Sequence, residues 1–559
     1  MSARHNGERV APPQSDDAVA LAINELGFLR SLSKGVPAYY QGLLNASEEP
    51  LRVAALVALL DLKAIWSAQA ELVLANAHRG AVKRRAFPFF LSVYAYNFAE
   101  RAAAIESEDV DALMTERMRS ELSLDYERMA ELDIELYMAH GAPEYLWSAE
   151  SNAERAGGWR ASVPHFVRSL LARPMDSNGP FHLLIALQSA NQSQLVNDVC
   201  AAFETAGVFK SESRIFRATL AAEAGDHKSA LKLLDQVPLS SPNAVLNAFN
   251  LEVRAKSLDA LASFHDSYAA YQRMNRTNRD ASVDPKAYYR ALDRHVAYTF
   301  EGEQTDARIA SHLMMVGFPR SGTTLLENAL AAHPKIETFE ETPAQSRMSR
   351  WLERFTPNAR VVSSDLASEA RDQYFDELAR QSKKSADVIK IDKMPLASGD
   401  AGYLRKILPS MKYIFSIRHP NDVVLSCFRQ NFVHNPAMEN FRTIADAVAL
   451  YDRTMAEWFS VHSLNDDPSV CYVRYEDLVQ DFRPTLERVL DFIGVGWDDA
   501  VLNFVEAADK RFAKTPSYKK VRSGLSIGVQ SSRENYKFLF ETKETAVLKK
   551  WVKHFGYDE

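Results

Sequence analysis

Apolar residues recur at helical spacing through roughly the first half of the chain. The stretch 51–77 (LRVAALVALLDLKAIWSAQAELVLANA) is rich in alanine and leucine, and charged and apolar residues alternate over several turns between Ser107 and His140. This pattern predicts an α-helical region over residues 19–300. Residues 1–18 are polar and contain paired prolines, which predicts a disordered lead-in.

One segment of this region has the spacing of a tetratricopeptide-like (TPR-like) helical hairpin. Between residues 213 and 242, a helix is expected to end near Gly225, a turn starts at Asp226, and a second apolar helix precedes Pro242. Residues 259–276 resemble a second, degenerate unit. The sequence therefore predicts a partly repeat-like helical region, which either binds a protein partner or packs against the rest of the chain.

The pattern changes after Asp306, where short β-like apolar runs alternate with helices. Four runs predict strands: 312–318 (HLMMVGF), 387–392 (DVIKID), 412–418 (KYIFSIR) and 470–475 (VCYVRY). Strands that alternate with helices indicate a parallel sheet with helical crossovers, so we expect an α/β domain over residues 306–559. In such sheets ligands bind at the carboxyl ends of the strands.

A phosphate-binding loop is predicted directly after the first of these strands. Residues 317–324 (GFPRSGTT) lie between the strand and the helix LLENALAAH, which Pro334 ends. This arrangement binds anions, because free amide groups and the helix dipole face the ligand. The spacing is that of a P-loop, but Thr323 stands where a triphosphatase has its lysine, and Arg320 supplies a cation instead. The missing lysine argues against triphosphate chemistry, and an ordinary strand–helix turn is the alternative.

Two more strands are expected to end in cations at the same edge of the sheet. Strand 412–417 leads to Arg418 and to a helix that carries Ser426, and strand 387–392 leads to Lys393. A Mg²⁺-dependent P-loop enzyme would have an acidic residue at such a strand end. Each cation alone fits a surface salt bridge, whereas three at one edge predict a site for a ligand with more than one anionic group.

Composition and charge narrow the class of protein further. The chain has 559 residues, 47% hydrophobic and 25% charged, with 66 basic and 73 acidic residues and a net charge of −7, so neither nucleic acid nor another polyanion is expected as a partner. Cys200, Cys427 and Cys471 lie far apart, which argues against disulfides and structural zinc and suits a reducing compartment. The first twenty residues lack the apolar core of a signal peptide, and the apolar run Phe87–Phe98 is too short to span a membrane and predicts a buried helix. We therefore expect a cytoplasmic protein.

The motifs after Asp306 resemble, in the same order, those of the sulfotransferase superfamily, whose members use 3′-phosphoadenosine 5′-phosphosulfate (PAPS). The segments that carry the resemblance are GFPRSGTTLLENALAAHP, FEETP, DKMP, IRHPNDVVLSCFRQNF, VRYEDLV and KTPSYKKVR. The chain is most similar to bacterial tetratricopeptide-repeat sulfotransferases and to tyrosylprotein sulfotransferases. This resemblance implies a P-loop-type sulfotransferase domain that transfers a sulfuryl group from PAPS to a hydroxyl or amine acceptor and releases adenosine 3′,5′-bisphosphate (PAP).

The resemblance also assigns roles to individual residues. The 5′-phosphosulfate would be bound by Arg320, Ser321, Gly322, Thr323 and Thr324. The 3′-phosphate would be held by Arg418 and Ser426, with Tyr475 near the adenine. The catalytic group would comprise Glu341 as the general base, together with Lys393, Ser517 and Arg320 around the transferring sulfuryl group.

The chemistry of sulfuryl transfer agrees with these roles. An in-line displacement needs a base on the acceptor side and cations on the leaving-group side, which Glu341, Lys393 and Arg320 would supply. The donor has no triphosphate tail to chelate a metal, so no metal is expected. The alternatives to these catalytic roles are that Glu341 only caps a helix near the loop and that Ser517 is an ordinary turn residue.

The sequence departs from the tyrosylprotein sulfotransferases in two places. Pro343 stands where those enzymes have an arginine two residues after the base, which weakens the case for a peptide tyrosine as acceptor. Residues 531–537 (SSRENYK) lack the expected tryptophan, and Arg522 and Arg533 either replace its 3′-phosphate contacts or are surface charge. A polysaccharide, a peptide, a lipid and a small metabolite all stay open as acceptors.

Two other functions stay open on the residues alone. A P-loop kinase or other phosphotransferase would bind ATP with Mg²⁺ more tightly than PAP. A helical-repeat scaffold with a nucleotide-sensing domain would be stabilised by PAP but would transfer no sulfate.

Overall fold

The structure is a computed structural model of the chain. Apart from gaps of one to three residues, it describes residues 107–152, 178–206, 209–504 and 532–557. The predicted lead-in 1–18, the helical stretch 51–77 and the apolar run Phe87–Phe98 lie outside these residues. No helix among the residues described is long and apolar enough to cross a membrane.

The chain divides into two compact units, one up to Leu261 and one from Ala262 onward. The elements described in the first unit are helices, as the sequence predicted for this part of the chain: α1 (Ser107–Ser123), α2 (Tyr126–His140), α3 (Asn178–Ser189), α4 (Ser193–Ala206), α5 (Lys210–Glu223), α6 (His227–Leu234) and α7 (Ala244–Ala260).

The turn predicted near Gly225 lies between α5 and α6. Gly225 has a φ of +84°, a conformation that glycine adopts without strain. Asp226 caps α6, because its side chain accepts a hydrogen bond from the Ser229 amide at 3.0 Å. Ala230 and Leu234 are buried on the following helix. The helical hairpin is thus present, while its TPR-like character stays a prediction.

The second unit contains every strand described. Its helices are α8 (Phe264–Thr277), α9 (Lys286–Val296), α10 (Thr323–Ala331), α11 (Ala344–Phe355), α12 (Ser364–Gln381), α13 (Ala401–Ile407), α14 (Pro420–Phe428), α15 (Ile444–Val461), α16 (Tyr475–Gln480), α17 (Phe482–Ile493), α18 (Ser532–Asn535) and α19 (Leu548–His554). Its strands are β1 (Thr299–Phe300), β2 (His312–Gly317), β3 (Ile336–Glu340), β4 (Val361–Val362), β5 (Ile389–Lys393), β6 (Lys412–Ile417) and β7 (Val470–Arg474).

Five of these strands form a parallel sheet in the order β3-β5-β2-β6-β7, and β1 pairs with β4 separately. The four predicted strands are confirmed as β2, β5, β6 and β7. The chain runs from β2 to β3 and β5 on one side and then crosses to β6 on the other. The crevice at the carboxyl ends of β2 and β6 is therefore the switch point at which such sheets bind ligands.

The sequence analysis missed β3, which lies at one end of the strand order. Three of its five residues (IETFE) are polar although all five are buried, so it lacks the apolar run that predicts a buried strand. Glu337, for example, accepts hydrogen bonds from the amides of Lys383 and Lys384 at 2.6 and 3.1 Å. The hydrogen bonds to its carboxylate thus come from a loop rather than from solvent.

Helices cover both faces of the sheet and hold its edge in place. On one face, α10, α16 and α17 pack on β-strand residues such as Ile391 and Ile414. On the other face, Trp458 of α15 packs against Tyr413 and Phe415 of β6, with ring centroids 5.3 and 4.6 Å apart. Burial on both faces fixes the register of the strands, and hence the positions of the loops at their carboxyl ends.

Helices α8 and α9 belong to the same compact unit as the sheet. Asn275 Nδ2 of α8 donates to the Phe428 carbonyl at the end of α14 (2.9 Å), and the Tyr536 hydroxyl donates to Ser267 Oγ of α8 (2.9 Å). The compact units thus divide earlier in the chain than the predicted ranges 19–300 and 306–559, which stay a prediction.

Candidate active site

The loop between β2 and α10 approaches its neighbours closely. Gly322 has a φ of +101°, and a Cβ atom there would lie 2.5 Å from Cδ2 of Tyr475. A Cβ atom on Gly317 would lie 2.7 Å from the carbonyl oxygen of Ser416 on β6. Arg320 also has a left-handed backbone, with a φ of +72°. Both glycines are needed to bring the loop backbone this near to β6 and α16.

The start of α10 forms a cradle of hydroxyl and amide groups. Ser321 is 2% exposed, and among the residues described its Oγ has no hydrogen-bond partner. Thr323 and Thr324 open the helix and are also buried. A buried hydroxyl without a partner is costly, and the N-terminus of a helix carries a partial positive charge. The cradle therefore fits an anionic group, and the binding of the donor there stays a prediction.

Two arginines from neighbouring strand ends meet beside this loop. Arg320 Nε donates to Ser426 Oγ at 3.1 Å, and Arg418 Nη1 donates to the Arg320 carbonyl at 3.4 Å. The Arg418 guanidinium lies 4.6 Å from the centre of the Tyr475 ring. Burial lowers the pKa of Arg320, and the positive charge of Arg418 acts in the same direction. An anionic ligand between these groups would relieve that repulsion.

Lys393, at the end of β5, lies in a cluster of three carboxylates. Its Nζ is 2.9 Å from Glu341 Oε1, 3.1 Å from Glu340 Oε1 and 3.5 Å from Glu327 Oε2. Burial alone would lower the pKa of this fully buried lysine, but the three carboxylates outweigh it and raise the pKa. The ammonium is thus held in its charged form.

The two glutamates of the FEETP segment differ in access to solvent. The Glu340 side chain is 7% exposed and that of Glu341 is 39% exposed. Burial raises the pKa of Glu340, although Lys393 opposes that effect. Glu341 follows β3 with a φ of +48°, and its amide donates to the Lys393 carbonyl at 2.9 Å. Of the two, Glu341 is the carboxylate that a substrate can reach.

The remaining predicted site residues are less closely tied to this group. Arg533 lies on α18 beside the helix that carries Ser426, and both its amide and its Nη1 donate to the Asp422 carboxylate at 3.0 Å. Its charge is thus already paired at the start of α14. Ser517 and Arg522 lie outside the residues described.

Two histidines near the loop make contacts that stabilise the fold. His333 Nε2 bonds the Gly496 carbonyl at 2.9 Å, and its Nδ1 accepts from the Lys335 amide at 3.1 Å. His419 Nδ1 accepts from the Asn421 amide at the start of α14, and burial lowers its pKa to about 4. Both rings thus form hydrogen bonds with main-chain groups.

The sequence analysis missed Glu327, a fully buried carboxylate on α10. Its Oε1 accepts a hydrogen bond from Thr338 Oγ1 of β3 at 3.1 Å, while its Oε2 faces Lys393. The available signal was the one charged residue of α10, four residues after Thr323. At that spacing the two side chains lie on one helix face.

The residues described contain no group of three or more histidine, cysteine, aspartate or glutamate side chains arranged to hold a metal ion. The three carboxylates around Lys393 contact its ammonium group.

Comparison with known proteins finds a family model that matches this part of the chain. The sequence model of the family described as "Sulfotransferase family" matches residues 312–499, a range that includes β2, β3, β5, β6 and β7.

Curated relatives match over a similar length. An uncharacterized protein of Aquifex aeolicus is 25% identical over 244 residues, which cover 41% of this chain and 31% of that protein. Protein-tyrosine sulfotransferase 1 of Danio rerio is 26% identical over 203 residues, which cover 35% of this chain and 56% of that enzyme. The chain thus spans about a third to a little over half of the length of these two relatives.

Solved structures of sulfotransferases also match, with low scores. The sulfotransferase domain of the Synechococcus PCC 7002 olefin synthase is 21% identical and covers 46% of this chain and 98% of that domain, with a TM-score of 0.33. The mouse sulfotransferase SULT7A1 complexed with PAP is 13% identical and covers 47% of this chain and 93% of that one, with a TM-score of 0.26.

Proposed function

From the premise that the chain belongs to the sulfotransferase superfamily, we propose that it transfers a sulfuryl group from PAPS to a hydroxyl or amine acceptor and releases PAP. The observation that carries the proposal is the arrangement at one edge of the sheet. An anion cradle at β2 and α10, two arginines and a buried lysine lie beside an accessible carboxylate.

The donor would be bound by the loop and by the end of β6. The 5′-phosphosulfate fits the cradle of Arg320, Ser321, Gly322, Thr323 and Thr324, where the Ser321 hydroxyl gains a partner. Arg418 and Ser426 would hold the 3′-phosphate, and the Tyr475 ring would lie near the adenine. Arg533 would add to this site only if it left Asp422. Ser517 and Arg522 keep their proposed roles on the basis of the sequence.

In the reaction, the acceptor oxygen or nitrogen attacks sulfur while the bond between sulfur and the bridging phosphate oxygen breaks. Glu341 takes the proton of the acceptor, because its carboxylate is exposed beside the cation. Lys393 and Arg320 offset the negative charge that grows on the bridging oxygen, which leaves with PAP. No step needs a metal ion.

Nucleotide binding separates this proposal from the kinase alternative. Thr323 occupies the position of the lysine that reaches the β- and γ-phosphates of a triphosphate. We therefore expect PAP to raise the thermal unfolding midpoint of the full chain, and ATP with Mg²⁺ to raise it less at equal concentration. A larger shift with ATP and Mg²⁺ would favour a phosphotransferase.

The acceptor and the role of the helical region are further parts of the proposal. Several curated relatives are named protein-tyrosine sulfotransferases, but Pro343 replaces the arginine that follows the base in that family, so polysaccharide, lipid and small metabolite stay candidates. We propose that the TPR-like helices select the acceptor or a protein partner. Incubating the full chain with radiolabelled PAPS and fractionated cell extract identifies the acceptor fraction.

The proposed location is the cytoplasm. All three cysteines are free and buried, as expected for a protein of a reducing compartment. Fractionation of cells and detection of the protein with an antibody would test this location.

A further inference from the structure

The Lys393 cluster contains one residue that no sequence motif identified. Glu327 extends from α10, whose first turn forms the anion cradle, and it is fully buried. One carboxylate oxygen faces Lys393 Nζ of β5 at 3.5 Å, and the other accepts from Thr338 Oγ1 of β3 at 3.1 Å. Glu327 thus joins the helix of the donor loop to the strands that carry the cation and the base.

The position of Lys393 depends on these contacts. A lysine side chain has several rotatable bonds, and a single ion pair fixes its ammonium poorly. Here Glu327 and Glu340 contact the ammonium from the buried side, and the exposed Glu341 contacts it at the surface. When Glu341 turns to an acceptor, the two buried carboxylates still hold the ammonium at the carboxyl edge of the sheet.

We propose that Glu327 is a positioning residue for the sulfuryl transfer, which holds the Lys393 ammonium between the donor loop and the base. This inference rests on the proposed function. Glu327 touches neither donor nor acceptor in this role and acts through Lys393. Glu340 and Glu341 at the end of β3 also contact the ammonium, and the negative charge of Glu327 is one cause of the raised pKa of Glu340.

The test compares Glu327→Gln with the wild-type full chain, using PAPS and the acceptor fraction. Glutamine keeps the size of the side chain and can still accept from Thr338, but it has no charge. We expect kcat to fall by roughly tenfold or more, because the cation is displaced, while the KM for PAPS changes little.

Two further variants separate positioning from folding. Glu337→Gln changes a buried glutamate of β3, whose carboxylate binds the loop at Lys383 and Lys384, and it should leave kcat and the KM for PAPS unchanged. Glu327→Asp keeps the charge but shortens the side chain. We expect it to lower kcat and to leave the KM for PAPS unchanged, and it takes the place of Glu327→Gln in the test if that variant does not fold.

A second readout needs no substrate. Glu327 is one of the charges that raise the pKa of Glu340, so it strengthens the loss of stability as pH rises from the ordinary glutamate pKa towards the raised one. In Glu327→Gln, the thermal midpoint should fall less steeply than in the wild type as pH rises above the ordinary glutamate pKa, since the pKa of Glu340 is then closer to its ordinary value.

The possible results are distinct. If the wild type transfers sulfate, and Glu327→Gln keeps the wild-type kcat, the positioning role is wrong and the proposed function stands. If Glu327→Gln does not fold and Glu327→Asp keeps the wild-type kcat, the positioning role is also wrong. If the wild type transfers no sulfate to any fraction, the proposed function fails and the positioning role fails with it.

Discussion

At the scale of single residues, the contact between Gly322 and Tyr475 shows how the donor loop depends on a missing side chain. A methyl group at position 322 would meet the Tyr475 ring at 2.5 Å and would also strain a backbone with a φ of +101°. The Tyr475 ring also contacts the Arg418 guanidinium, so a displacement of the ring would shift a residue of the proposed 3′-phosphate site.

The Gly322→Ala variant should therefore lose affinity for PAP. We expect a loss of roughly tenfold or more, measured by isothermal titration of PAP into the full chain. Gly494→Ala is the matched control, because Gly494 also has a left-handed φ (+91°) but has open space at its Cβ position. The control should reduce stability by about 1 kcal/mol and leave PAP affinity unchanged. Equal PAP affinity in both variants would remove Gly322 from the donor site.

Glu341 gives the second prediction at this scale. Glu341→Ala removes the exposed carboxylate but leaves the loop and both arginines intact. We expect turnover to fall by roughly 10²-fold or more, as it does on loss of a general base, with PAP binding retained. Turnover and titration of PAP are measured on the same preparation. Wild-type turnover in this variant would exclude Glu341 as the base.

The sequence predicted the positions of some residues of the candidate site but not of others. Arg320, Arg418 and Lys393 follow strands with clear apolar patterns, so their meeting at one edge was predictable. Glu340 and Glu341 are adjacent in the sequence, and their different exposure arises from the end of β3 and from the left-handed φ of Glu341, neither of which has a sequence pattern. Glu327 resembles any polar residue of a helix until the packing shows it fully buried.

At the scale of elements, the neighbouring strands β2 and β6 bring the two ends of the proposed donor site together. Gly317 pairs with Ser416 in the ladder, so the loop after β2 and Arg418 after β6 lie side by side. In the proposed function the two loops have separate roles: the cradle at α10 would bind one anionic group, and Arg418 with Ser426 would bind another.

Arg418→Ala should therefore act on one end of the nucleotide. We expect it to weaken binding of PAP by roughly tenfold, because a charged contact to the 3′-phosphate is lost, and to change binding of adenosine 5′-phosphosulfate little. Titration of both nucleotides measures the difference. An equal loss for both would contradict the assignment of Arg418 to the 3′-phosphate.

Helix α9 contributes a pH-dependent contact to the same unit. His295 Nδ1 lies 2.9 Å from Asp400 Oδ1, and its Nε2 lies 3.7 Å from Glu353 Oε1. Burial acts to lower the pKa of His295, but the two carboxylates outweigh it and raise the pKa to about 9. The charged histidine therefore stabilises the fold below its ordinary pKa of about 6.5, and this contribution is lost as pH rises through about 9.

The comparison of His295→Gln with the wild type tests this contact. The wild type should be more stable by a few kcal/mol at most near pH 6, and the difference should shrink as pH rises to about 10. Thermal unfolding of both chains across this range gives the difference. A difference that does not depend on pH would show that the charge of His295 does not matter for stability.

At the scale of the whole chain, the sequence predicted the change from helices to an α/β sheet but not where the compact units divide. Helix α8 shows the helical pattern of the first half, yet its buried Asn275 and Ser267 bond to residues far along the chain, Phe428 and Tyr536. Long-range contacts of this kind leave no local pattern, so helical spacing alone assigned these residues to the other region.

The net charge of −7 is equally uninformative about the site, because charge is arranged locally. Arg320, Arg418 and Lys393 lie at a single sheet edge, where Glu327, Glu340 and Glu341 surround the lysine. The residues proposed for sulfuryl transfer all belong to the second unit, so the proposed activity depends on the fold of that unit. The selection of acceptors proposed for the first unit is a separate contribution.

Transfer of radiolabelled sulfate from PAPS into fractionated cell extract tests the central claim most directly, with the wild-type chain and Glu341→Ala compared at equal PAPS concentration. The account predicts that label moves from PAPS into one acceptor fraction in the presence of the wild type, that PAP accumulates in equal amount, and that both are reduced by roughly 10²-fold with Glu341→Ala. Binding of PAP without transfer of label to any fraction would contradict it.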